Sequence, residues 1–209
     1  MSRSDQPAGI VSLEAANTER ISTDAVRAAL AEDDRAKRRP PLTWTGGLDL
    51  GLLIIRLTLG GVFFVHGIGI VFGRLNGPGI EGFARGLSGL GYRETNLLAW
   101  VTGVTELAGA VLLIFGLFTP LAAAALLGIV INSILVKYSV GFFVQPDNPS
   151  GYELDVLLGG MAAGLLFAGP GRIALDKGTT WFRRPLLSGT VCLVLGVVAA
   201  VLIYLFLRR

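Results

Sequence analysis

Apolar positions gather into five long runs, at about residues 50–72, 97–115, 121–138, 152–168 and 186–207. A helix needs about 20 mostly apolar residues to cross a bilayer. Each run therefore predicts one crossing. The breaks between them carry turn chemistry. Gly77-Pro78-Gly79 follows the first run, Gly116 to Pro120 separates the second from the third, and Gly169-Pro170-Gly171 ends the fourth. Between the first two runs, Phe83, Leu87 and Leu90 recur at helical spacing among glycines. That spacing predicts a short interfacial helix or a re-entrant flap within residues 74–96.

Residues 1–47 show no such run. Their charges are balanced, and Glu14, Glu19, Asp24, Arg27, Glu32 and Asp33 alternate with small residues. Residues 23–35 predict a short helix capped by Ser22 or Thr23. The remainder reads as a soluble, largely disordered tail. No apolar h-region follows Met1, so no cleavable leader is expected. The tail closes on Arg35, Lys37, Arg38, Arg39, Pro40 and Pro41. Basic residues beside a first span favour a cytoplasmic N-terminus, and five spans then put the C-terminus outside.

Composition agrees with this class. The 209 residues are 52% hydrophobic and 16% charged, with a mean hydropathy of +0.65. An average soluble chain carries about 25% charged residues. The net charge of +3 forms no stripe, so no nucleic-acid partner is implied; the partner is the lipid bilayer. The 29 glycines suit close helix packing, and Gly69 and Gly73 make a GxxxG pair. Cys192 is the one cysteine and His66 the one histidine. An internal disulfide, a CxxC pair, a c-type haem attachment and an internal bis-histidine haem are thereby excluded. No cofactor is covalently bound; any electron carrier belongs to a partner or is a diffusible quinone.

Charges inside the runs are the candidate chemistry, because an ionisable group at membrane depth needs a partner or a cavity. Counted from the inner helix ends, Arg56 lies about 9 Å deep and Glu106 about 13 Å, which predicts an intramembrane ion pair. His66, Lys137, Glu153 and Asp155 come out at about 21 to 25 Å, on one level near the outer surface. One reading is structural: such pairs fix helix register. The other is a polar pocket in which His66 donates a hydrogen bond or proton to a quinone carbonyl while the carboxylates exchange protons with water. A metal site would have a single nitrogen ligand and is disfavoured. No residue is assigned as catalytic.

These features together resemble the DoxX family of small bacterial membrane proteins. The resemblance rests on Arg56-Leu-Thr-Leu-Gly60, Phe64-Val-His66-Gly67, Phe72-Gly73, Gly82-Phe83-Ala84 and Leu90-Gly91. It continues through Glu106-Leu-Ala-Gly109, the turn Gly116-Leu-Phe-Thr119-Pro120, Gly141-Phe142-Phe143, Gly151-Tyr152-Glu153-Leu-Asp155, Gly169-Pro170-Gly171-Arg172 and Leu175-Asp176. It covers about residues 48–177 and implies an all-α membrane protein. Residues 48–177 would form a DoxX-like four-helix transmembrane bundle, residues 178–209 a fifth C-terminal transmembrane helix, and residues 1–47 the cytoplasmic tail. The chain departs from the family where members often place a lysine soon after the His-Gly; Ile70 and Val71 are apolar here.

The resemblance also implies a multi-pass protein of the bacterial cell membrane, linked to redox metabolism and oxidative stress. The expected role is an accessory or assembly subunit of a larger membrane oxidoreductase or respiratory chain complex, not catalytic by itself. Relatives include a subunit of thiosulfate:quinone oxidoreductase, so a quinone-reactive subunit is the alternative. A small transporter is the third reading, although the chain shows no inverted repeat.

Overall fold

The computed structural model describes residues 23–33, 45–145, 151–176 and 185–208. Ser22, Arg35, the basic cluster through Pro41, Asp147, Lys177, Arg183, Arg184 and Arg209 lie outside the described residues. The chain divides into two units, Met1–Trp44 and Thr45–Arg209. In the first unit, residues 23–33 form helix α1, with every side chain exposed.

Among the described residues the second unit holds six helices: α2 (Gly46–Phe72), α3 (Gly79–Gly89), α4 (Thr95–Phe115), α5 (Thr119–Lys137), α6 (Glu153–Ala168) and α7 (Pro185–Leu207). Among the described residues there is no strand; an isolated antiparallel bridge joins Tyr92 and Arg208. The α2 helix begins four residues before the apolar run, because the Thr45 hydroxyl accepts from the Leu48 N–H at 3.4 Å. It ends at Gly73, whose φ of 62° gives the left-handed close that glycine allows. The short helix expected within residues 74–96 is α3, which buries Ala84 alone.

Among the described residues, four helices are long and apolar enough to cross a membrane: α2, α4, α5 and residues Leu186–Leu207 of α7. The fourth run yields α6 with 16 residues, about 24 Å of helix. It falls short of a full-length span because Gly169-Pro170-Gly171 stops it. The helices nevertheless pack in a ring, α2 on α4, α4 on α5, α5 on α6 and α6 back on α2. The core between them is Leu59, Phe63, Leu113, Leu126, Leu158, Leu165 and Leu166, with Ala122, Ala123 and Ala162. Helix α7 packs outside the ring on α5 and α6, and α3 lies on α4 and α2. Only 6% of the α7 apolar window is buried, so its remaining face is available to lipid.

The α2–α4 contact sets the register of the site. A methyl group at Gly67 would meet the Leu107 backbone N and Cα at 2.7 and 2.9 Å. Only glycine lets the two backbones come this close. Residues 66–67 of α2 therefore stand level with residues 106–107 of α4.

Residues 169–176 close one end of the ring. The Arg172 N–H donates to Asp49 Oδ1 at 2.6 Å, and the Thr119 N–H donates to Asp176 Oδ2 at 3.1 Å. The N–H groups of Leu175 and Asp176 donate to the carbonyls of Phe115 and Gly116 at 3.2 and 3.0 Å. At the other end, the Glu153 N–H donates to the Phe142 carbonyl at 3.0 Å, and the Arg93 N–H to the Leu207 carbonyl at 2.7 Å.

Candidate functional site

Near the second end, the four ring helices border an open cavity of about 520 Å³. Its polar lining draws on all four ring helices, with His66 from α2, Glu106 from α4, Ser133 and Lys137 from α5, and Asp155 from α6, and on Asn76 from the connection after α2. Its wall is otherwise apolar, with Phe63, Ile70, Val130 and Leu158. The connection after α2 and the start of α3 cover the mouth with Leu75, Asn76, Pro78 and Phe83. Leu75 and Asn76 hold φ of 54° and 61°, a left-handed pair that folds this connection back over the helix ends.

Lys137 Nζ and Asp155 Oδ2 form an ion pair at 2.8 Å. The pair is half in solvent on the lysine side, with 36% of that side chain exposed against 14% for the aspartate. His66 is exposed at the edge of the cavity, its ring edge-on to Phe63 with centroids 6.3 Å apart. It feels the charges of both Lys137 and Asp155. The level proposed from helix depth thus brings together His66, Lys137 and Asp155. Glu153 is not in the lining. It opens α6, and its backbone is tied to Phe142.

Arg56 and Glu106 are placed apart, and no ion pair joins them among the described residues. Arg56 is 1% exposed, and its Nη2 donates to the Ile173 carbonyl. The acidic charge acting on it is that of Asp176. The depth argument misplaces this residue because it sets all helix ends level. The α4–α5 turn at Gly116 sits against the Arg56 guanidinium, and α2 runs on for ten further residues to Gly46, about 15 Å. Arg56 therefore belongs to the closed end of the ring.

Glu106 belongs to the cavity. It is 6% exposed, and its Oε2 has no hydrogen-bond partner among the described residues. The sequence carries a usable signal for this placement: Gly60 and Gly67 on α2, and Gly103 and Ala110 on α4, are the small positions through which the helices touch. Pairing them in antiparallel order puts Glu106 beside His66. No three His, Cys, Asp or Glu side chains among the described residues are grouped as metal ligands would be.

Residues 51–139 match the family model described as DoxX. Over this stretch the chain is similar to DoxX proteins. The matched stretch is less than half of the 209 residues and runs from α2 to the end of α5. It includes His66, Glu106 and Lys137, while Asp155 and all of α7 lie beyond it. No curated protein and no solved structure matches the chain at a significant level. The similarity to DoxX proteins and the four long apolar helices among the described residues together support a multi-pass membrane protein.

Proposed function

We propose that this chain is a membrane subunit of an oxidoreductase or respiratory assembly, not catalytic by itself, whose cavity receives the polar head of a quinone. The observation that carries this reading is the cavity of about 520 Å³ at membrane depth, within the size range of small-molecule sites. Its apolar wall suits a lipid-soluble ring. His66 and the Lys137 ammonium can donate to a carbonyl oxygen at the mouth. The residues therefore fit the head of a quinone, and the quinone supplies the redox chemistry when bound. On this reading α2, α4, α5 and α6 are the DoxX-like four-helix bundle, α7 is a fifth crossing, and the N-terminus is cytoplasmic in a bacterial cell membrane.

The test is titration of the detergent-purified protein with a short-chain benzoquinone, followed by calorimetry. Saturable binding is expected, weakened about tenfold or more in the His66→Ala, Lys137→Ala double variant, since each donor contributes on the order of 1 kcal/mol. No saturable binding by the unaltered protein would reject the reading.

A second reading is a pure docking or assembly role. The observation favouring it is α7, which lies beyond the DoxX match and leaves nearly its whole apolar surface outside the ring. Mild extraction from native membranes distinguishes the two: a large co-purifying complex that dissociates when residues 178–209 are deleted supports docking through α7.

A further inference from the structure

We infer that Glu106 is the deep anchor of the cavity, holding the inner end of a ligand's polar head by a hydrogen bond rather than by a charge. The inference rests on the cavity being the binding site proposed above.

Three observations carry it. First, Glu106 is 6% exposed, so water does not solvate it as it would a surface carboxylate. Second, its Oε2 has no hydrogen-bond partner among the described residues, although Glu106 lines the cavity. Third, the ammonium that could neutralise it is already engaged, because Lys137 pairs with Asp155 at 2.8 Å. A buried polar atom left unmade is costly to the fold, and a buried charge without a partner is far more so. A leucine at this position would cost nothing of the kind. The carboxyl is therefore kept for something that enters the cavity. It lines the cavity from α4, while the Lys137–Asp155 pair lines it from α5 and α6. A head with polar oxygens at two positions would meet Glu106 through one and Lys137 through the other. An apolar body between them would meet Phe63, Ile70, Val130 and Leu158.

This arrangement predicts opposite effects on binding and on stability, which a structural carboxyl would not give. Full-length protein in mild detergent is titrated with a short-chain benzoquinone, and the ligand-free melting temperature is recorded alongside. For Glu106→Leu the affinity is expected to fall at least tenfold while the ligand-free melting temperature stays level or rises. Glu106→Gln keeps both a donor and an acceptor of the same reach, and is expected to bind within about threefold of the unaltered protein. A Glu106→Leu protein that binds as tightly as the unaltered one overturns the anchor. So does one that melts lower, since Glu106 would then be a structural partner. Equal loss in Glu106→Gln and Glu106→Leu overturns the hydrogen-bond form, because the ligand would then be reading a charge. Failure of the unaltered protein to bind the benzoquinone is a different result, and removes the binding site itself.

Discussion

Arg56 shows what a single residue can demand of a membrane fold. Its guanidinium is completely enclosed, with the Ile173 carbonyl as its acceptor and the charge of Asp176 acting on it. Neither its Nε nor its Nη1 has a hydrogen-bond partner among the described residues. The charge is therefore held chiefly by the segment that folds across the ring. Gly116 is part of that fit: its φ of 66° favours glycine, and a side chain there would run into the Arg56 guanidinium. Removing one member of a buried charge pair leaves the other uncompensated, at about 3–5 kcal/mol. Arg56→Ala is expected to lose stability on that scale, read as a drop in the detergent melting temperature. Arg56→Met with Asp176→Asn removes both charges and should recover much of the loss. A double variant as unstable as Arg56→Ala would mean that packing, not charge, makes Arg56 indispensable. That Arg56 is buried was legible from its place in an apolar run. Its partner was not, because residues 169–176 have no periodicity, and only the folded chain brings them under α2.

At the scale of helices, the runs of apolar residues located every long helix, since in lipid the backbone must satisfy its own hydrogen bonds and a continuous helix does so. What they left open was vertical register. That is set by small residues, and the α2–α4 contact can be tested through them. Gly67→Ala places a methyl against the Leu107 backbone, whereas Gly61, on the same helix, has nothing within 4 Å of an added methyl. Overpacking of the first kind costs about 1–3 kcal/mol. Replacing an unencumbered helical glycine gains about 0.5–1 kcal/mol. Gly67→Ala should therefore melt lower and Gly61→Ala level or higher; equal behaviour would refute the register. The docking of α7 has its own signature. Tyr92, in the connection between α3 and α4, gives its hydroxyl to Asn132 Oδ1 at 3.4 Å, and Asn132 Nδ2 donates to the Ala200 carbonyl of α7 at 3.1 Å. Burial raises the Tyr92 phenol above its ordinary value of 10.0, Arg208 opposes this, and Tyr204 adds to it. The folded state thus keeps a proton that the unfolded chain releases. This stabilisation is whole below the unfolded value and is lost as pH rises through the raised folded one. Melting curves should show an extra loss of stability above about pH 10 that Tyr92→Phe lacks.

The whole molecule poses the question of sides. Asp49 at the start of α2, the α4–α5 turn and residues 169–176 are tied together at one end, and the connections after α2 and α5 meet around the cavity at the other. The α7 end joins Arg93 and Leu90, just before the N-terminal end of α4. The chain therefore enters and leaves the ring at the same end, and α7 carries it to the other, which requires α6 to cross despite its 16 residues. A helix of about 24 Å is short for a hydrocarbon core of about 30 Å. Its ends are extended by other means. Tyr152 stacks on Tyr138 with centroids 6.1 Å apart and meets Phe142 edge-on at 5.3 Å, an aromatic cluster of the kind that sits at a membrane interface. Beyond Ala168 the chain runs on through residues 169–176, whose backbone is bonded to the α4–α5 turn. The same closure makes the cavity one-sided. In a Cys192→Ala background, Asn76→Cys at the mouth and Ala174→Cys in the closing segment should then label from opposite sides of the membrane. With a cytoplasmic N-terminus, a membrane-impermeant maleimide reaches Asn76→Cys in intact cells and Ala174→Cys only after permeabilisation. The reverse pattern would invert the orientation and keep the architecture. Labelling of both from one side would show that α6 does not cross, and the ring would lose its fourth spanning member.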